Sequence, residues 1–190
     1  MSTIIAIKYN KGVLVGADMQ TTGSNLATHN SKKIVKSKYS NTIIGTVGDA
    51  RQGQVIKAKE DYLSAEEVLN KQEVNLNFMI TKVVPRIFTQ CINNLFSEKK
   101  ELEELDTNVM FCTNDNIYVI ESNGYVYETN DYAATGCGTQ LVYGYLQGKN
   151  INHNTLTLDE AKEIIKEAII KGCEKDVYVD NNLYFLSTEK

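Results

Sequence analysis

The sequence predicts an α+β domain: two antiparallel sheets stacked face to face with helix pairs outside, a four-layer αββα sandwich. Three observations lead there. Short β-branched runs open the chain, helical patterns interrupt them twice, and strands return after each interruption. With 190 residues, no internal repeat and no Pro/Gly-rich linker, 1–190 reads as one domain with a substantial core.

The elements follow in order. STIIAIKY and GVLVGAD are joined at Asn10, Lys11 and Gly12, which predicts a hairpin. KKIVKS and NTIIGTV are two further strands, separated by the polar KYSN. From Gly48 onward GDARQGQVIKAKEDYLSAEEVLNK lacks strand alternation and predicts a helix. EVNLN separates it from a second helix around FMITKVVPRIFTQCINNLF, where Pro85 predicts a kink or an irregular start. EKKELEEL reads as a solvated helix end and linker. TNVMFCT, NIYVIES and YVYETN alternate as strands with Asn-Asp and Asn-Gly at their turns, and YAATGCG closes the set. A short helix is expected from Thr139 to about Gln147. TLDEAKEIIKEAIIKG is the cleanest helix: Thr157 and Glu160 make a capping box, Ala161, Ile164, Ile165, Ala168 and Ile169 one apolar face, and Gly172 a stop. DVYV and LYFLS finish as strands.

Several function classes fall away. A net charge of −4 argues against nucleic acid or anionic lipid as the main partner. No apolar run approaches the roughly 18 residues that span a membrane, and Lys8 and Lys11 interrupt the first apolar stretch, so no signal peptide is expected. Cys91, Cys112, Cys137 and Cys173 lie far apart, and the two histidines lack zinc-ligand spacing, so no metal and no cofactor is predicted. The setting that fits is a reducing cytoplasm. There is no phosphate-binding G-x-x-x-x-G-K-[ST], no G-x-S-x-G elbow, and GCGTQLVYG only half resembles a dinucleotide fingerprint.

What remains is the N-terminus. If Met1 is removed, Ser2 carries a free α-amine whose reference pKa is roughly 7.7–8.0, within reach of its own Oγ. One residue then supplies nucleophile and general base, a scheme that suits a histidine-poor chain. Asp18 and Lys33 stand in apolar strands. Lys32 and Lys33 are adjacent and must point to opposite faces, so one is directed inward, where it needs a carboxylate. An inward lysine beside the amine would favour the alkoxide and keep the amine neutral, with Asp18 orienting it. The alternative is that Asp18 caps a turn and both lysines are solvated.

Taken together, STIIAIKYNKGVLVGADMQTT, NSKKIV, IIGTVGDA, ATGCG and CEKDVYVDNN resemble, in order, the signature regions of proteasome β-type N-terminal nucleophile (Ntn) hydrolases, most closely HslV. The resemblance covers nearly the whole chain, with residues 51–106 matching only in character. It implies the Ntn hydrolase fold, Ser2 as nucleophile, Lys33 as the catalytic lysine and Asp18 as its support. It further implies Gly45 as the oxyanion-hole glycine and Asp176 as an aspartate near the amine. Thr22, Gly45 and Val47 would pair with substrate as an added strand. Thr21, Ile43, Val47 and Arg51 would approximate the pocket for the residue preceding the scissile bond.

Three departures stand out. Ser2 replaces a threonine whose methyl helps fix the hydroxyl rotamer. The Asp18–Lys33 spacing is one residue shorter than usual. Cys137 replaces a serine that hydrogen-bonds near the amine, and a thiol is a poorer donor and acceptor; it reads equally well as a small buried hydrophobe. The resemblance implies stacked homo-oligomeric rings, unfolded protein or peptide as substrate, and a separate AAA+ ATPase unfoldase, since this chain has no nucleotide motif. Two alternatives stay open: a catalytically silent ring or scaffold subunit, and an N-terminal serine amidohydrolase acting on a small amide.

Overall fold

The computed structural model describes residues 2–22, 27–28, 31–59, 61–95, 105–173 and 182–189. The opening hairpin is β1 (Thr3–Tyr9) and β2 (Gly12–Asp18), paired from Ile4↔Ala17 to Tyr9↔Gly12. A two-residue ribbon, β3 (Thr21–Thr22) with β4 (Ala27–Thr28), precedes β5 (Ile34–Lys36) and β6 (Ile43–Gly48). Helices α1 (Ala50–Ala58), α2 (Ala65–Leu69), α3 (Leu76–Phe78) and α4 (Val84–Leu95) follow. Then come β7 (Thr107–Cys112), β8 (Ile117–Ile120), β9 (Val126–Thr129), β10 (Tyr132–Gly136), α5 (Thr139–Gln147), α6 (Leu158–Cys173) and β11 (Leu183–Ser187).

The strands form two antiparallel sheets, ordered β10-β1-β2-β11 and β5-β6-β7-β8-β9. Side-chain alternation separates three apolar layers. Ile4, Val15, Ile43, Met110 and Val119 meet between the sheets. Ile44, Phe111 and Tyr118 face Ile56 of α1 and Ile87 and Cys91 of α4. Ile5, Ile7 and Leu14 face Val142 of α5 and Ile165 and Ile169 of α6. The expected αββα order is therefore the observed one. Because both faces of each central strand are covered, β1 and β2 are apolar almost throughout instead of alternating.

Two helices depart from expectation. The single helix expected after Gly48 is broken into α1 and α2, because Ser64 and Glu67 form a capping box that starts a new helix. Arg86 of α4 grips the same Glu67 with both guanidinium nitrogens, at 2.8 and 2.9 Å. The irregularity expected at Pro85 takes the form of a π-helical turn over Met79–Val83 directly before it. α6 is capped by Thr157 and Glu160 as expected and runs one residue past Gly172. EKKELEEL, apart from Leu105, and DVYV lie outside the described residues. Among the described residues no helix is long and apolar enough to cross a membrane, and no group of three metal-ligating side chains gathers.

Candidate active site

The end of β2 and the lead into β5 meet at one buried ion pair. Asp18 is fully buried and Lys33 is 4% exposed. The Lys33 ammonium donates to Asp18 Oδ2 at 2.5 Å, to the Asp18 carbonyl at 3.0 Å and to the Gln20 carbonyl at 2.5 Å. Asp18 Oδ1 accepts the Thr3 N–H at 2.7 Å, and Oδ2 also accepts the Gln20 N–H at 3.2 Å. Both carboxylate oxygens and the ammonium thus have charge-assisted partners, which a buried pair requires. Lys32 points the other way, its ammonium 5.0 Å from the centre of the Tyr184 ring. The adjacent-lysine reading of KKIV therefore resolves to Lys33 inward.

This pair anchors the start of the chain. The Thr3 amide is tied to Asp18, and the Thr3 hydroxyl donates to the Cys137 carbonyl at 2.8 Å. The Cys137 N–H donates to the Ser2 carbonyl at 2.9 Å. Cys137 thereby holds Ser2 through its backbone, and its thiol is free. Gly136 permits this contact. Its φ is +106°, and a Cβ there would lie 1.9 Å from the Ser2 carbonyl oxygen.

Ser2 sits at a cleft of about 60 Å³ between the lead into β5, the end of β6 and the first turns of α1. Its wall is Ser31, Lys33, Thr46, Gly48, Asp49, Ala50, Gly53, Gln54 and Lys57. α1 comes close because Gly53 has no side chain: a Cβ there would meet Thr46 Oγ1 at 2.7 Å. Asp49 caps α1, accepting the Gln52 N–H at 2.7 Å. Lys57 is half-buried, and burial, reinforced by the Lys33 charge, pulls its pKa down to about 8.

The residues of β6 implied by the resemblance and the residues of β6 that line this cleft lie on opposite faces of the strand. Ile43 and Val47 are buried in the layer between the sheets, and a Cβ on Gly45 would point at Ile4 in the same layer. Thr46 and Gly48, one residue out of step, line the cleft instead. Arg51 is exposed and also stays off the cleft wall, where Ala50 and Gln54 stand. Backbone direction separates the two glycines as well. The Thr46 N–H donates toward β5, to the Lys33 carbonyl at 3.0 Å, and the Asp49 N–H donates the opposite way, to the Asp106 carbonyl at 2.8 Å. By alternation the Gly45 N–H points into the β7 ladder, where Gly45 pairs with Met110. The same alternation turns the Gly48 N–H toward the cleft, past the start of β5. Gly48 has φ +124°, and a Cβ there would strike the Asp106 carbonyl at 2.1 Å. That sharp turn at a strand-to-helix junction is the signal in VGDA that could have singled it out.

Thr21 and Thr22 pair with Thr28 and Ala27 in the small ribbon, and their side chains lie outside what is described. Asp176 lies outside the described residues altogether.

The stacked sheets with paired outer helices, and a chain start held at a cleft by a buried lysine–carboxylate pair, define the Ntn hydrolase class. The "Proteasome subunit" family model matches residues 1–186, and the chain belongs to that family. Curated relatives are beta subunits. The proteasome subunit beta of Methanococcus maripaludis strain C5 is 23% identical over 189 residues, covering 96% of this chain and 80% of its own. That of Halomicrobium mukohataei is 25% identical, covering 96% and 73%. That of Ferroglobus placidus is 27% identical, covering 92% and 80%.

Proposed function

We propose that this chain is the peptidase subunit of a self-compartmentalising, ATPase-dependent protease, with Ser2 as its nucleophile once Met1 is removed. The observation that carries the reading is the convergence on Ser2 of its backbone anchor, the Asp18–Lys33 pair and the β6–α1 cleft. Ser2 Oγ attacks the peptide carbonyl carbon while its own α-amine takes the hydroxyl proton. The Gly48 N–H, in place of Gly45, donates to the developing oxyanion, an interaction worth roughly 2.7–4 kcal/mol in a transition state. The C–N bond then breaks, the protonated amine gives its proton to the leaving nitrogen, and an acyl ester remains on Ser2. Water, deprotonated by the same amine, hydrolyses that ester. The Lys33 charge favours the alkoxide and the neutral amine, and the resemblance assigns Asp176 a supporting role beside that amine.

The reading extends to stacked homo-oligomeric rings in the cytoplasm, HslV-like in kind, fed with unfolded protein by a separate AAA+ ATPase. It is supported by the family and by the absence of a nucleotide-binding motif in this sequence. Intact-mass measurement before and after a peptide epoxyketone tests it. The expected chain is lighter by one methionine, takes one adduct, and takes none as Ser2→Ala. Persistent Met1 with no adduct overturns the reading in favour of a silent ring subunit. A native mass equal to one chain overturns the ring.

A further inference from the structure

The β6–α1 cleft carries a charge that the catalytic scheme does not use. Lys57 lines it one helical turn beyond Gly53 and Gln54, and its ammonium bends back along α1 to lie 4.0 Å from where a Gly53 Cβ would be. No carboxylate of the described residues lies within ion-pair distance of it, although seven other ion pairs occur among them. The neighbouring cation, Lys33, is neutralised by Asp18. Among the described residues Asp49 is the one acid on the cleft wall; its Oδ1 caps α1, and no ion pair joins it to Lys57. The remaining lining, Ser31, Thr46 and Gln54, offers hydroxyl and amide groups able to donate. A half-buried ammonium with no counter-ion among the described residues, facing polar donors at the rim of a cleft that begins at Ser2, matches a carboxylate entering from outside.

We propose that Lys57 makes this cleft selective for an acidic side chain, aspartate or glutamate, on the residue whose carbonyl Ser2 attacks. This rests on reading the cleft as the substrate site of a Ser2 peptidase. An incoming carboxylate supplies the ion pair that the described residues do not, so its binding relieves a charge already desolvated. Burial holds the Lys57 amine to a pKa of about 8, the cost that such a partner would remove. A neutral amide of the same shape gains no such relief.

Binding separates this from the catalytic reading. Acetylated tetrapeptide amides ending in glutamate or in glutamine are titrated into the purified assembly at pH 7 and followed by calorimetry. The glutamate peptide is expected to bind about tenfold tighter, as one charge-assisted hydrogen bond implies, and the ratio is expected to fall to about one in Lys57→Met. Equal affinities in the parent protein, no binding of the glutamate peptide, or a preference that survives Lys57→Met each overturn the proposal. Fluorogenic versions of the same peptides test turnover. Cleavage without a glutamate preference overturns the acidic selectivity and leaves the peptidase. Glutamate-selective binding without cleavage leaves the selectivity and removes the peptidase.

Discussion

Two lysines on one cleft are treated in opposite ways. Lys33, almost fully buried, has a carboxylate and two carbonyls on its ammonium. Lys57, less buried, has no ion-pair partner among the described residues and lies in the field of Lys33. A buried charge is tolerated when its partners are built in, and then it fixes geometry. A charge left unpartnered costs folding free energy, and a cleft is where such a cost finds a use. The pair at Lys33 belongs to the frame that holds Ser2. The charge at Lys57 belongs to whatever enters.

The largest effect should come from breaking the frame. Asp18→Asn leaves the Lys33 ammonium buried beside a neutral amide, and about 3–5 kcal/mol of stability should be lost. The shift in denaturant midpoint, at fixed protomer concentration, reads this. The double variant Asp18→Asn/Lys33→Met should regain much of that loss, since no charge remains buried, while epoxyketone labelling of Ser2 stays low. Recovery of labelling along with stability would show that the pair only supports the fold.

A smaller effect is expected one contact further out. Gly136→Ala forces an L side chain to φ +106° against the Ser2 carbonyl, at about 1–3 kcal/mol of strain. Epoxyketone labelling should slow more than the melting temperature falls, because the displaced atom belongs to Ser2 itself. A melting shift with undiminished labelling would separate Gly136 from the site.

The layers and the ion pair were legible in the sequence, and the cleft was not. The β-branched runs, the capping box at Thr157 and the adjacent Lys32 and Lys33 each act through short-range periodicity, which a sequence displays directly. β6 resists the same treatment. It is apolar on both faces, so IIGTVG gives no alternation to say which residues look outward, and a shift of one residue in phase exchanges Gly45 and Val47 for Thr46 and Gly48 on the cleft face. The break between α1 and α2 was written in S-A-E-E but masked by the strong helix formers around it. Lys57 carries no local sign at all. It looks like one more polar residue on an amphipathic helix, and its meaning comes from Gly53, Thr46 and Lys33, which only the packing of α1 on β6 brings together.

The smallest effect falls on Lys57 and runs the other way. Its pKa in the fold, about 8, lies below the 10.5 of an unperturbed lysine. Between those values the unfolded chain binds more protons than the folded one, so stability rises with pH across that window. Below pH 8 the protonated amine is a standing penalty. Lys57→Met should therefore melt higher than the parent at pH 7, with the difference shrinking as pH climbs from about 8 toward 10.5. Tyrosines that titrate at alkaline pH are common to both proteins and cancel in the comparison. The same titration reaches the ligand side. The glutamate-to-glutamine affinity ratio should hold below pH 8 and fall above it as the ammonium is lost. Using a ratio matters here, because a free Ser2 amine, Lys33 with Asp18, and the capping Asp49 face the cleft in both measurements. A Lys57→Met protein that melts lower at pH 7, or a ratio indifferent to pH, would place Lys57 with Lys33 in the frame.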